Sequence, residues 1–368
     1  MVLDIKTTLI DQRRQTFGHV ARRFGEDRPA SRYEEATYDL QPDGEHHYRP
    51  TWDPAHTIYD ESRTAIVMKD WYALKDPRHY YYGTYTISRA RMMETVEKNL
   101  AFVEKRGSFA LIAPEWQEAI RFYLLPLRHV EWGANMNACS ITDQGFGAAI
   151  TQATMFATTD RLGIAQVISR IGLIAGGGGA LDQAKALWME APEWQPMRRL
   201  VEDSFVVADW FELFVAQFLC LDGLLYPLVY DAFDAAGQAH GAAALSMMTE
   251  FMVDWQDETA KWADAVLKVV AQESQANRDR LAGWFGHWEA RVAEALAPVA
   301  ARVLGAEAGA AALADGTVRI SVCGRAVDHQ AAMALMKRSP KITANCAFAM
   351  VHSRGGIFHS FSDRFKIR

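Results

Sequence analysis

From residue 87 to about 304 the apolar residues of this chain recur at helical spacing, and nowhere in that stretch do they alternate long enough to make a strand. A chain of this kind has to bury its apolar stripes helix against helix, so the expected fold class is all-α, a helical bundle. The run "SRARMMETVEKNLAFVEKRG" shows the pattern: Met92, Val96, Leu100 and Val103 share one stripe, Arg91, Glu94, Lys98 and Lys105 lie largely away from it, and Gly107 ends it. A second helical stretch spans 115–138, with Pro126 expected to kink it rather than end it. Further helices are expected at 144–158, 160–174, 180–190, 197–236, 241–276 and 278–304. "GGGG" at 176–179 reads as a turn between helices, since neither a dinucleotide-type Gly spacing nor a Gly-Lys-Ser/Thr accompanies it.

With 368 residues, half of them apolar, the chain can build its own core. Its formal charge of -6 gives no long-range attraction to nucleic acid or to an anionic membrane. The Arg-rich first thirty residues are not a secretory leader, and the longest charge-free run, 144–159, is too short and polar to span a bilayer. The four cysteines form no disulfide framework, which suits a cytoplasmic setting.

Residues 1–60 carry no sustained period but are rich in Arg, Tyr, Pro and His, including Tyr33, Tyr38, Tyr48 and Trp52; this is the composition of an extended arm lying on a partner. Residues 61–305 form the helical domain. Residues 306–368 are a separate extension: low in complexity at first, then basic, with "TVRISVCGRAV" as a candidate short strand. The repeated spacing Cys323-x5-His329 and Cys346-x5-His352 differs from familiar zinc patterns, and the composition fits a loosely packed terminus better than a metal-stapled one.

A large helical bundle with acidic residues raises the question of a di-iron carboxylate centre, built from acidic ligands and two Glu-x-x-His pairs. That spacing works because residues three apart lie about 60° apart around a helix and converge on one ion. None of the eleven histidines has a glutamate three residues before it; His46, His56 and His79 follow aspartates at that offset, but in turn-like surroundings. His129 and Glu131 are separated by about 200° and cannot grip one ion. The same His-x-Glu spacing opens a zinc-deaminase signature, but the Pro-Cys-x-x-Cys that must follow is missing. Arg128, Glu131 and Asn135 share a face and are expected to form a hydrogen-bonded polar cluster at a helix contact. The acids Glu250, Asp254, Asp257 and Glu258 read as the solvated face of an amphipathic helix. No nucleophile elbow or activated cysteine is evident.

Several long blocks carry a resemblance: 13–39, "HYRPTWDP" (47–54), "KDWYALKDPRHYYYGTYTISRARM" (69–92), "LRHVEWGANM" (127–136), "DRLGIAQVISRIGL" (160–173) and 201–234. In this order and separation the chain resembles the β, or small, hydroxylase subunit of bacterial multicomponent phenol hydroxylases, up to about residue 300. The resemblance implies a ferritin-like bundle lacking the di-iron ligands, and a chain that is catalytically silent alone. It implies no cofactor on this chain, a di-iron centre on a partner α subunit, and FAD and 2Fe-2S on a separate reductase. It also implies an (αβγ)2 assembly with α and γ hydroxylase subunits, an effector protein and the reductase, together hydroxylating phenols to catechols with O2 and NADH-derived electrons. Within that reading Trp52, Trp71, Tyr72, Tyr80, Tyr81 and Tyr82 are expected as aromatic interface anchors, and Arg128, Glu131 and Asn135 as polar interface contacts or internal pairs. The alternatives are the β subunit of a related toluene, alkene or propane monooxygenase, and a self-sufficient di-iron enzyme with unusual ligands.

Overall fold

A computed structural model describes residues 17–25, 28–40, 51 and 53–324, and among these every regular element is a helix. Two short helices, α1 (Gly18–Phe24) and α2 (Arg32–Thr37), lie on the N-terminal segment. They are followed by α3 (Tyr82–Arg106), α4 (Pro114–Tyr123), α5 (Leu127–Gln144), α6 (Ala148–Glu190), α7 (Gln195–Ser204), α8 (Trp210–Gln238), α9 (Ala243–Glu273), α10 (Gln275–Leu304) and α11 (Ala306–Gly324).

The expected stripe on α3 is the buried one, with Val96, Leu100 and Val103 in the core and Met92 packed against it. Gly107 stops the helix in the left-handed conformation, φ 61° and ψ 27°, which glycine adopts without steric cost. Pro126 ends a helix instead of kinking one. It has no N–H to donate, and the chain passes from α4 to α5 through three turn residues, with bonds from the amides of Leu127, Arg128 and His129 to the carbonyls three residues back. The three-residue link 145–147 folds α5 back along α6. Gly147, at φ 83°, makes this turn where a Cβ would stand 3.3 Å from the Tyr72 ring. Pairings such as Thr142 with Thr154 and Glu131 with Arg161 fix the antiparallel register.

As expected, the glycine run joins two helical segments, 148–175 and 178–190, which are taken together as α6. Gly176 and Gly177 depart from helical geometry, and Arg121 caps the kink by donating from Nε and Nη2 to the Ala175 carbonyl at 3.0 and 2.9 Å. Of the candidate strand at 317–327, the described residues 317–324 are helical, continuing α11 from its Ala-rich start, with Ile320 buried against α8 beside Gly223. His329, Cys346, His352 and His359 lie outside the described residues, as does Trp52.

Helix α8 runs through the centre: 89% of its most apolar window is buried inside the chain. It has the length and hydropathy to cross a membrane, as does α6, but a central core helix meets the same criteria. Two stretches of α8, Val215–Leu221 and Pro227–Phe233, are π-helical. The wider turns rotate the residues between them, Asp222 to Tyr226, relative to a regular α-helix, and absorb the donor that Pro227 lacks.

Candidate functional site

The chemistry-bearing side chains that this packing brings together form two buried ion clusters, back to back on α6. In the first, Arg161 stands between Glu131 of α5 and Asp222 of α8, and each of the three is 1% exposed. The guanidinium donates from Nη1 to Glu131 Oε2 at 2.9 Å and from Nη2 to Asp222 Oδ2. Tyr226 donates its hydroxyl to the other Glu131 oxygen at 2.9 Å, and Gln217 donates to the other Asp222 oxygen at 2.9 Å. Gln217 in turn accepts from Asn137, which also bonds Ser204. Every carboxylate oxygen therefore has a donor, the condition under which buried charge is tolerated.

In the second cluster Asp160 accepts four hydrogen bonds: from Arg89 Nε and Nη2 at 2.7 and 2.8 Å, from the Tyr85 hydroxyl at 2.8 Å and from Trp255 Nε1 at 2.9 Å. Arg89 also pairs with Glu258, which accepts from the Tyr80 hydroxyl at 3.1 Å. Glu258 is thus part of a half-buried network and not of the solvated face expected for it, whereas Glu250, Asp254 and Asp257 are exposed. Trp255 joins the clusters. Its N–H serves Asp160 while its ring lies 4.3 Å from the Arg161 guanidinium carbon.

The electrostatics follow from the charge count. Burial pulls the Arg161 pKa down, but Asp222 and Glu131 more than offset it and hold the guanidinium charged. Two carboxylates against one guanidinium leave an excess negative charge. Burial, with repulsion from Glu131 and against the pull of Arg161, pushes the Asp222 carboxyl up to about 6.

This donor set does not fit a di-iron centre. Such a centre takes acidic ligands and histidines from several helices. Here two carboxylates close on a side-chain cation, and among the described residues no group of three or more His, Cys, Asp or Glu side chains could hold a metal. A self-sufficient di-iron reading of the chain therefore finds no ligands within that region.

The residues singled out from sequence separate into distinct environments. Trp71 is buried, with ring centroids 5.3 Å from Phe146 and 5.7 Å from Trp210. Tyr72 is buried beside Tyr38, under the Arg23 guanidinium, and Tyr80 is buried against Ser88 and Glu258. Tyr81 caps α3, and Tyr82 is 76% exposed. Arg128, Glu131 and Asn135 do not form one network: Arg128 donates to the Leu181 carbonyl, Glu131 meets Arg161, and Asn135 Oδ1 is buried with no partner. Arg161 and Asp222, which complete the Glu131 cluster, were not singled out. For Asp222 the signal is a lone charge in an otherwise apolar stretch, "FLCLDGLLYP", where burial forces a partner; Arg161 stands beside Asp160 and carries no such signal.

His129 points elsewhere, stacking on Trp188 at 5.7 Å with Nε2 buried and unpartnered. Burial, with Arg128 and Lys185 nearby, draws its pKa down from 6.5 to about 4. The folded state keeps this ring neutral while an unfolded chain protonates it, so its contribution to stability is full above pH 6.5 and is lost as pH falls toward 4. Urea unfolding of the wild type and His129→Phe at pH 7.5 and pH 5 checks this: the wild type is expected to lose more stability on acidification than the variant.

Residues 52–274 match the family model described as methane/phenol/alkene hydroxylase. The chain is 49% identical over 307 residues to the phenol 2-monooxygenase oxygenase component DmpL of Pseudomonas sp. strain CF600, covering 83% of this chain and 92% of that protein. It superposes on a chain of the crystal structure of phenol hydroxylase from Pseudomonas sp. OX1 with a TM-score of 0.79 at 45% identity, covering 87% of this chain and 97% of that one. The β subunit of the toluene-4-monooxygenase hydroxylase of Ectopseudomonas mendocina is more distant, 21% identical over 69% of this chain and 76% of that protein.

Proposed function

The chain belongs to the methane/phenol/alkene hydroxylase family, and from that membership we propose that it works as the small, metal-free subunit of a phenol-hydroxylating monooxygenase. Identity of 49% to a phenol 2-monooxygenase oxygenase component, against 21% to a toluene-4-monooxygenase β subunit, favours phenol over toluene as the substrate class of the assembled enzyme. Its bundle is ferritin-like, and its role is to support the di-iron α subunit, where O2 and NADH-derived electrons convert phenols to catechols. The observation that carries this reading is the guanidinium between Glu131 and Asp222: the buried carboxylates of the bundle already face a side-chain cation.

The assembly we propose is (αβγ)2, served by an effector protein and by a reductase carrying FAD and 2Fe-2S, in the cytoplasm. Cys139 and Cys220 as free thiols suit that compartment. The outer face of the α5–α6 hairpin suits a permanent partner. Trp132, Met136, Met155 and Leu162 are all exposed there, an apolar surface of the kind obligate subunits cover. Tyr82 is the expected anchor most accessible to a neighbouring subunit. Trp71, Tyr72, Tyr80 and Tyr81, with Arg128, Glu131 and Asn135, would then act mainly by fixing the surface that the partner meets.

Iron content decides this reading. The purified chain is expected to carry essentially none, and its co-purified complex with the α subunit about two irons per α, with the larger mass visible by size exclusion and phenol converted to catechol. Stoichiometric iron on the isolated chain, or phenol turnover by the α subunit without it, would sink the proposal.

A further inference from the structure

Glu131 and Asp222 come from different helices and each turns one oxygen toward the Arg161 guanidinium. Glu131 Oε1 and Asp222 Oδ1 are held back by Tyr226 and Gln217, while Glu131 Oε2 and Asp222 Oδ2 take the two Arg161 Nη donors. The Tyr226 oxygen stands 3.2 Å from Arg161 Nη1 and completes a third side. This is the arrangement by which proteins hold a hard cation: carboxylate oxygens from separate elements, each fixed by an outer hydrogen bond. Two features mark the guanidinium as an imperfect occupant. It brings one positive charge to two carboxylates, and its Nε, in a side chain 1% exposed, is buried with no acceptor. A divalent ion would balance both carboxylates and leave no such orphan.

We propose that Glu131, Asp222 and Tyr226 form a divalent-cation site whose occupant in this chain is the Arg161 guanidinium, and that a hard metal such as Mn2+ takes its place when that side chain is removed. The donors are all oxygen, with neither thiolate nor imidazole, so the site suits manganese or magnesium better than zinc or copper. Arg161 in this reading is a tethered cation that closes the interior of the bundle to metal. The inference concerns this chain alone and stands or falls separately from its place in any assembly.

Titration of Arg161→Ala with Mn2+, read by loss of the six-line spectrum of the free ion in electron paramagnetic resonance, tests it on the full chain. One ion per chain is expected for Arg161→Ala, none for the wild type, and loss of uptake in Arg161→Ala/Asp222→Asn. Absence of uptake by the single variant, or uptake that survives Asp222→Asn, overturns the proposal. Restoration of stability by methylguanidinium without any Mn2+ uptake also overturns it, because the pocket would then be shaped for the planar fork alone. If Arg161→Ala is too unstable to purify, its refolding yield with and without Mn2+ gives the same decision: a metal-dependent yield supports the site, and equal yields count against it.

Discussion

Replacing Arg161 by Leu is expected to cost roughly 3–5 kcal/mol of folding stability near neutral pH, because it leaves Glu131 and Asp222 buried without a counter-charge. The cost should itself depend on pH. In the wild type the Asp222 pKa is raised from 3.8 to about 6, so the stability it contributes is full below pH 3.8 and is lost as pH rises through about 6. Without the guanidinium the Asp222 carboxyl loses the group that opposes its rise, and the variant should recover much of its deficit on going from pH 8 to pH 5.5. Urea unfolding at the two pH values measures this. A triple variant, Glu131→Gln/Arg161→Leu/Asp222→Asn, removes the charges together and should unfold close to the wild type, since a buried ion pair contributes little beyond what neutral groups in its place supply. A pH-independent loss of less than about 1 kcal/mol in Arg161→Leu would mean that water reaches the carboxylates.

The helical class was readable because it depends on spacing along one chain segment, and α3 shows how well that works: the stripe picked out by period is the buried one. The lack of a Glu-x-x-His pair was readable for the same reason. Glu131 was visible as a polar residue on a largely buried helix, but its partners come from 30 and 95 positions further on, and no period within α5 points to them. Arg161 sits beside Asp160 in sequence, and the two look like a neighbouring pair of opposite charges. They face different clusters because adjacent residues are about 100° apart around a helix. Helix boundaries were the weaker part. The period runs through Pro126 because the backbone stays close to helical there, φ -64° and ψ -21°, even though the four-residue hydrogen-bond ladder breaks. At 317–324 the β-branched residues suggested a strand, but an Ala-rich helix already under way and a place for Ile320 beside Gly223 decide otherwise.

Trp255→Ala should be the most damaging single change on α9, because one side chain serves both clusters. Truncating a fully buried Trp costs roughly 3–5 kcal/mol in lost contacts and cavity. Here the change also removes a hydrogen bond to Asp160 and the aromatic face over Arg161. Trp255→Phe separates these contributions: it keeps a ring over the guanidinium and loses the N–H, and about 1–2 kcal/mol is expected from the donor that Asp160 loses. Three donors to Asp160 remain in that variant, Tyr85 and two from Arg89, which is why the loss stays modest. A double-mutant cycle then tests whether the two clusters are linked through this residue. Trp255→Ala in an Arg161→Leu background should cost measurably less than in the wild type, with a coupling of about 1 kcal/mol or more, the range seen for residues in contact. Strict additivity would mean that Trp255 supports Asp160 alone and that the Arg161 cluster stands on its carboxylates without the ring.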